Sequence, residues 1–376
     1  MAYRNFFLMV MGLIVANVYS QNKLPTINAN STTVDILEDG VLKKGYWSIA
    51  PEVNPDIYET SSKNITFYTD IDSISFEVSK NKYYDFEIII NQKESAITRI
   101  QWVPSRLDML KQASEYEFEN DSSIPKFSYQ SKESPELVKL RRELKLDSIA
   151  GNGNELSQIF NLFKWADNVV EHDGSSSNPT LRNAIDLLKI CKTENRGLNC
   201  RMLSIFLNEC YLAMGIKSRY VTCMPKETDF DECHVINMVY SNDLDKWLWI
   251  DPTNGAYVMD DKGNLLSIPE VRERLINDKG LVLNADANWN RSVLKNKTQY
   301  LNFYMAKNLY RFQTPLISEY NSETIEEGKE ITFVELLPLD GIVQEPKKKV
   351  DSDTINNVKR MYYKTNNPSI FWAKPE

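Results

Sequence analysis

Between Arg196 and Asp251 the hydrophobic period of this chain changes from helical to extended, and that change constrains the fold more than any other feature. Leu203, Phe206, Leu207, Cys210 and Met214 recur at helical spacing, and Gly215 supplies a stop. Arg219 to Thr222 then reads as a short strand. His234, Ile236, Met238 and Tyr240 alternate with Val235, Asn237 and Val239, and Trp247 to Ile250 forms another extended run. Residues 242–246 make a turn between these last two, which predicts a hairpin. Three further helices are predicted upstream. One starts at Ser134-Pro135-Glu136, one runs from Asn154 to Glu171, and one from Thr180 to Cys191. Helices followed by an antiparallel sheet indicate an α+β domain.

The flanks read differently. In residues 21–130, Ile74, Phe76 and Val78 alternate with polar residues, as do Phe86, Ile88 and Ile90, so a β-sandwich-like domain is expected there. Gly45 to Glu52, with Tyr46, Trp47 and Pro51, is either an edge strand and turn with a buried Trp47 or a ligand face for sugar; packing is the usual duty of a single aromatic. Residues 115–134 are polar around Asn120 to Ser123 and read as a linker. Residues 131–325 would hold the α+β domain, with Tyr300 to Phe312 as an aromatic-rich helix. Residues 326–376 would form a C-terminal extension in which Ile355 to Tyr363 and Phe371-Trp372 are strands.

With 376 residues, two or three domains of about 150 residues are expected. The net charge of −8 and absence of a basic stripe argue against a nucleic-acid partner. Residues 1–20 resemble a signal peptide: Arg4 precedes an apolar run from Phe6 to Val18, and Val18-Tyr19-Ser20 offers a cleavage site before Gln21. No cysteine lies there to take a lipid anchor, and no other apolar run is long enough to cross a bilayer. The expectation is a mature protein that is exported, periplasmic or extracellular, with no stable membrane anchor.

Five cysteines remain: Cys191, Cys200, Cys210, Cys223 and Cys233. An odd number in an exported protein leaves one thiol over. The other four are either two disulfides, with three pairings open, or buried free thiols. Spacings are too irregular for a zinc site, and no dense acidic loop of EF-hand type appears.

Cys200 falls where the amphipathic helix begins, and a thiol facing unpaired N–H groups at a helix start is more acidic than usual. The chain has only two histidines, His172 and His234. His172 lies at a helix end before a polar loop. His234 opens a strand of the hairpin whose other strand ends at Asp251, so His234 and Asp251 come together without any long-range assumption. Cys200, His234 and Asp251 thus compose a Cys-His-Asp site: a thiolate that attacks an acyl carbon, an imidazole that holds it and protonates the leaving amine, and a carboxylate that orients the imidazole. The Cys200 N–H is a candidate oxyanion donor. This chemistry needs only side chains, so no cofactor and no metal are implied.

Three stretches carry a resemblance. Residues 197–201 through 213–221 resemble the nucleophile helix and following strand of transglutaminase-like proteins. Asp231-Glu232-Cys233-His234-Val235-Ile236-Asn237 resembles their histidine strand, and Trp247-Leu248-Trp249-Ile250-Asp251-Pro252-Thr253 their aspartate strand. The match spans roughly residues 135–285. It implies a transglutaminase-like, papain-like Cys-His-Asp core of helices packed on an antiparallel sheet, with Cys200 as nucleophile, His234 as base and acid, and Asp251 as orienting residue. Leu203, Ser204 and Ile205 depart from the small residues often found after the nucleophile, which looks like a bacterial subgroup. Papain-like proteases set Cys and His much farther apart than the 34 positions here.

The superfamily includes cross-linking acyltransferases, peptidases, amidases and inactive members, so the fold does not fix the reaction. Two expectations follow. One is an exported thiol-dependent acyl-transfer enzyme on a protein, peptide or amide substrate, hydrolytic rather than cross-linking. The other is an inactive binding or scaffolding protein whose β domain holds a glycan or protein. The reactivity of Cys200 at neutral pH separates them.

Overall fold

The computed structural model describes residues 23–117, 124–230, 232–353 and 356–376. The targeting segment expected at residues 1–20 and the centre of the expected linker, Asn120 to Ser123, lie outside the described residues. The chain divides into two compact units at Pro104/Ser105.

The N-terminal unit carries eight strands: β1 (Thr26–Ala29), β2 (Thr33–Glu38), β3 (Val41–Ser48), β4 (Asp56–Thr60), β5 (Asn64–Tyr68), β6 (Ser73–Glu77), β7 (Tyr83–Ile90) and β8 (Glu94–Trp102). They form two four-stranded sheets, ordered β1-β7-β8-β4 and β3-β2-β5-β6. The alternation seen in the sequence is the reason: Phe86, Ile88 and Ile90 of β7 point inward and are buried with Val34, Ile36 and Phe67. Residues 45–48 belong to β3, an edge strand, and Trp47 packs edge-on against Tyr58 at 5.1 Å.

The second unit is α+β. Its helices are α1 (Pro135–Glu143), α2 (Glu155–Val169), α3 (Ala184–Glu194), α4 (Cys200–Ala213) and α5 (Ile268–Ile276), besides several shorter ones. Its main sheet has seven strands: β9 (Ser218–Met224), β10 (His234–Ser241), β11 (Lys246–Ile250), β12 (Arg311–Pro315), β13 (Glu330–Leu336), β14 (Lys348–Asp353) and β15 (Val358–Thr365). Their order is β11-β10-β9-β12-β13-β15-β14. Helix α4 lies at the centre of one core, and every residue from Met202 to Ala213 is buried. Gly215, at φ +79°, takes the left-handed turn that ends it, so that Ile216 N–H donates to the Tyr211 carbonyl.

Several boundaries differ from those read in the sequence. The β domain ends at Pro104 rather than at 130, and the described residues on either side of the expected linker's centre belong to the second unit: Leu110 is buried in its core, and Ser128–Tyr129 pairs with Ile317–Ser318. Nor does the α+β domain stop at 325, because β13, β14 and β15 extend its own sheet. Helix α3 starts at Ala184 rather than Thr180, since Asn183 caps it by accepting from the Asp186 N–H. Tyr300 to Phe312 is not one helix. It is a π-helix over Thr298–Met305, a short α turn, and then β12. Phe371 ends a helical turn, Pro368–Phe371, with Asn367 as cap and Pro368 at its first position, instead of lying in a strand.

Candidate active site

Cys200 is the first residue of α4, and Asn199 caps that helix by accepting from the Met202 N–H at 3.1 Å. On the neighbouring strands the ladder pairs Asn237 with Ile250, so Asp251 lies one step beyond, opposite Ile236, and reaches His234 diagonally. His234 Nε2 and Asp251 Oδ2 are 2.7 Å apart, and both side chains are wholly buried. The remaining ring nitrogen of His234, Nδ1, is buried and takes no partner in the hydrogen-bond network of the described residues, and the His234 side chain acts on the Cys200 sulfur by hydrogen bond and charge. The structure thus brings together Cys200, His234 and Asp251, the three residues picked out in the sequence.

Helix and histidine strand are fastened to each other. Ser204 Oγ donates to the Val235 carbonyl at 2.9 Å, and Asn237 Nδ2 donates to the Ser204 carbonyl at 2.9 Å. This accounts for one departure after Cys200: the hydroxyl at 204 pins the strand that carries His234. Next to Cys200, Arg201 forms a two-pronged pair with the buried Glu323, which also accepts from Tyr220 Oη at 2.6 Å.

Asp251 accepts from five donors. Besides His234 these are Tyr300 Oη at 2.6 Å, Asn254 Nδ2 at 3.0 Å, and the Thr253 and Asn254 N–H groups at 2.9 and 3.3 Å. Trp249 Nε1 in turn donates to Tyr300 Oη at 3.2 Å. The Tyr304 ring lies edge-to-face over His234, centroids 5.1 Å apart. Both tyrosines come from the π-helix, a rare form that frequently marks functional sites.

Electrostatics follow from these contacts. Burial pushes the Cys200 thiol up, but hydrogen bonds from His172 and His234, together with the His234 charge, outweigh it and bring the thiol down to about 6. Burial pushes His234 down, and the Asp251 carboxylate and the Cys200 sulfur more than reverse this, raising it to about 10. Burial likewise pushes Asp251 up, and the His234 charge and the Tyr300 and Asn254 hydrogen bonds hold it below the usual carboxylate range. At neutral pH the three therefore stand as thiolate, imidazolium and carboxylate. The other four thiols go the opposite way: burial raises Cys191, Cys210, Cys223 and Cys233, and none of the five cysteines is in a disulfide.

Residues missed in the sequence complete the site. Tyr300, Tyr304 and Asn254 left no signal there, because the packing that aims them joins distant segments. His172 reads in the sequence as a helix-end residue, yet its side chain hydrogen-bonds the Cys200 thiol. A cavity of about 190 Å³ adjoins them, lined by His172, Thr253, Trp289, Lys295, Tyr300 and Tyr304. The Thr253 hydroxyl on its wall is buried and unpartnered among the described residues. A larger hollow of about 690 Å³ around Leu156, Leu244 and Arg274 contains none of the three site residues.

Fold and site together define a thiol-centred α+β protein of the Cys-His-Asp class. The family model of the transglutaminase-like superfamily matches residues 142–252, the stretch that carries Cys200, His234 and Asp251. No curated protein matches the chain. Among solved structures, a cysteine protease candidate from Cytophaga hutchinsonii is similar at 20% identity with a TM-score of 0.26. That likeness covers 40% of this chain and 49% of the other, so the chain spans about half the length of the structure it matches. It is too slight to carry an argument.

Proposed function

We propose that this chain is an exported, thiol-dependent acyl-transfer enzyme acting on amide or peptide bonds. The observation that carries the reading is the buried His234–Asp251 pair, 2.7 Å apart, set against a Cys200 thiol brought down to about 6. The Cys200 thiolate attacks the carbonyl carbon, and the carbonyl π pair moves to oxygen. Collapse expels the amine, which takes its proton from the His234 imidazolium, and leaves a thioester on Cys200. Water gives a proton to His234, attacks the thioester and releases the acid. Hydrolysis is favoured over cross-linking because the Cys200 residue keeps part of its surface exposed and a cavity of about 190 Å³ adjoins the site, which gives water a route to the thioester. Export rests on the character of residues 1–20.

The test is a screen of peptides and simple carboxamides with mass-spectrometric trapping of an acyl adduct. The expected result is an adduct on Cys200 that turns over to the free acid and is absent in Cys200→Ala. A wild-type thiol that labels slowly, with an ordinary pH profile and no adduct, overturns the reading. It would point to a binding protein whose β domain holds a glycan or protein ligand.

A further inference from the structure

Two imidazoles hydrogen-bond the Cys200 thiol, and their own partners give them opposite chemistry. His234 presents Nδ1 to the sulfur while Nε2 is engaged by Asp251, and that carboxylate favours a charged ring. His172 is engaged from the other side by an indole: Trp289 Nε1 donates to His172 Nδ1 at 2.9 Å. An indole N–H only donates, so His172 Nδ1 must carry a lone pair. The ring is then neutral with its proton on Nε2, the nitrogen left to meet Cys200. Such a nitrogen donates a hydrogen bond and takes no proton.

The ring is also held in place. His172 N–H donates to Asn290 Oδ1 at 2.7 Å, and Asn290 Nδ2 donates to the His172 carbonyl at 2.9 Å. The backbone at 171–173 runs beside Leu198, two residues before the thiol: Leu198 N–H donates to the Glu171 carbonyl at 2.9 Å and Asp173 N–H to the Leu198 carbonyl at 2.8 Å. Gly197 permits this approach, since a Cβ there would stand 2.7 Å from the Glu171 carbonyl oxygen. Trp289 and Asn290 come from one small hairpin, Asn288–Trp289 with Val293–Leu294, so a single element fixes both the tautomer and the position.

We propose that His172 is an oxyanion donor of this site, its Nε2–H stabilising the carbonyl oxygen that becomes negative when Cys200 attacks, with Trp289 as the positioning residue that fixes the tautomer. The inference rests on the acyl-transfer reading above. In the resting site the His172 side chain hydrogen-bonds the Cys200 sulfur, where the negative charge is. As the C–S bond forms, that charge moves to the substrate oxygen, which is bonded to the carbon that the sulfur has just joined. A donor already beside the sulfur is therefore within reach of the oxygen, with little movement. The leaving-group proton comes from His234, so the two histidines divide the work between proton transfer and charge stabilisation.

The experiment compares two probes on the full chain. Iodoacetamide alkylates Cys200 by displacement and forms no oxyanion. The activated ester p-nitrophenyl acetate acylates it through a tetrahedral oxyanion. Each variant is measured across pH, and rates are compared on the plateau where Cys200 is a thiolate. Expected for His172→Ala is a loss of about 10²-fold in acylation, at the lower end of the cost of one oxyanion donor, with alkylation nearly unchanged. His172→Gln keeps an N–H donor but cannot act as a base, and should recover most of the acylation. Trp289→Phe frees the tautomer and should slow acylation alone. If His172→Ala slows both probes in equal proportion, or leaves acylation untouched, the inference is overturned; the same holds if His172→Gln is as slow as His172→Ala while folding and alkylating normally. A wild-type protein that alkylates fast but shows no Cys200-dependent acylation would instead defeat the acyl-transfer reading itself.

Discussion

At the scale of the residue, the site is a charge problem solved by three neighbours. Cys200 at about 6 and His234 at about 10 bracket a window in which the thiolate–imidazolium pair is the stable form. The sign follows from which form reacts. Alkylation needs the thiolate, so its rate should be flat above about pH 7 and fall tenfold per unit below about pH 6. Acylation of an amide needs both the thiolate and the imidazolium proton, so kcat/KM should form a bell with limbs near 6 and 10. His234→Ala removes one of the two hydrogen bonds and the only imidazolium charge that counter burial, leaving His172 alone, and the labelling midpoint should climb toward the ordinary thiol value of about 8.5. Mass spectrometry of iodoacetamide labelling across pH checks this; a midpoint that stays near 6 in His234→Ala would show that His234 does not hold the thiolate. Asp251→Asn is a second case. An amide in place of the carboxylate gives no charge to balance the imidazolium and permits the wrong tautomer, so kcat should fall by about 10³- to 10⁴-fold while the fold survives, read as turnover of a probe ester beside an unchanged circular dichroism spectrum.

At the scale of the element, legibility in the sequence depends on how local the determining contact is. Helix α4 was readable because Leu203, Phe206, Leu207 and Cys210 repeat its period and Gly215 ends it. The His234–Asp251 pair was readable because both lie on one hairpin joined by a short turn. The π-helix was not: its residues look helical, but what widens it is the packing that aims Tyr300 at Asp251 and Tyr304 at His234. The role of His172 was hidden for the same reason, since Trp289 and Asn290 lie more than a hundred residues away. Glu209, in the middle of α4, is another long-range tie. Wholly buried, it accepts from the Ala184 N–H at the start of α3 at 2.7 Å and from the Asn321 N–H at 2.8 Å. Glu209→Ala would leave the buried Ala184 N–H and the partly buried Asn321 N–H unpaired, and should cost about 2–3 kcal/mol, given roughly 1–3 kcal/mol for a fully buried unsatisfied group. Urea denaturation should show a lower midpoint with an unchanged slope. A loss under about 0.5 kcal/mol would mean that the two N–H groups find other partners.

At the scale of the molecule, the C-terminal fifty residues decide whether the site exists at all. In the sequence they read as a C-terminal extension, separate from the α+β domain. In the structure they supply β13, β14 and β15, and β13 pairs with β12 from Phe312↔Leu336 to Pro315↔Phe333. Val334, Leu336 and Phe371 are buried in the same core as Trp249 and Tyr300, which lead to Asp251. The buried Arg219 guanidinium also depends on this segment: its Nη2 donates to the Phe371 carbonyl at 3.0 Å, and its flat face lies 3.6 Å from the Phe127 ring centroid. A chain ending at residue 325 would lose three strands of seven, open that core to water and leave a buried cation with one partner fewer, a combination that costs far more than the net stability of an ordinary domain. It should fail to fold cooperatively, and its Cys200 should label like an ordinary thiol. A chain beginning at Ser105 keeps both cores of the second unit, and the N-terminal strands have their own core. That fragment should unfold as a single transition and label at Cys200 with the full-length pH profile. Circular dichroism melts and iodoacetamide kinetics on the two fragments test both halves of the claim; a folded chain ending at 325 with its midpoint still near pH 6 would show that the last strands are an appendage after all.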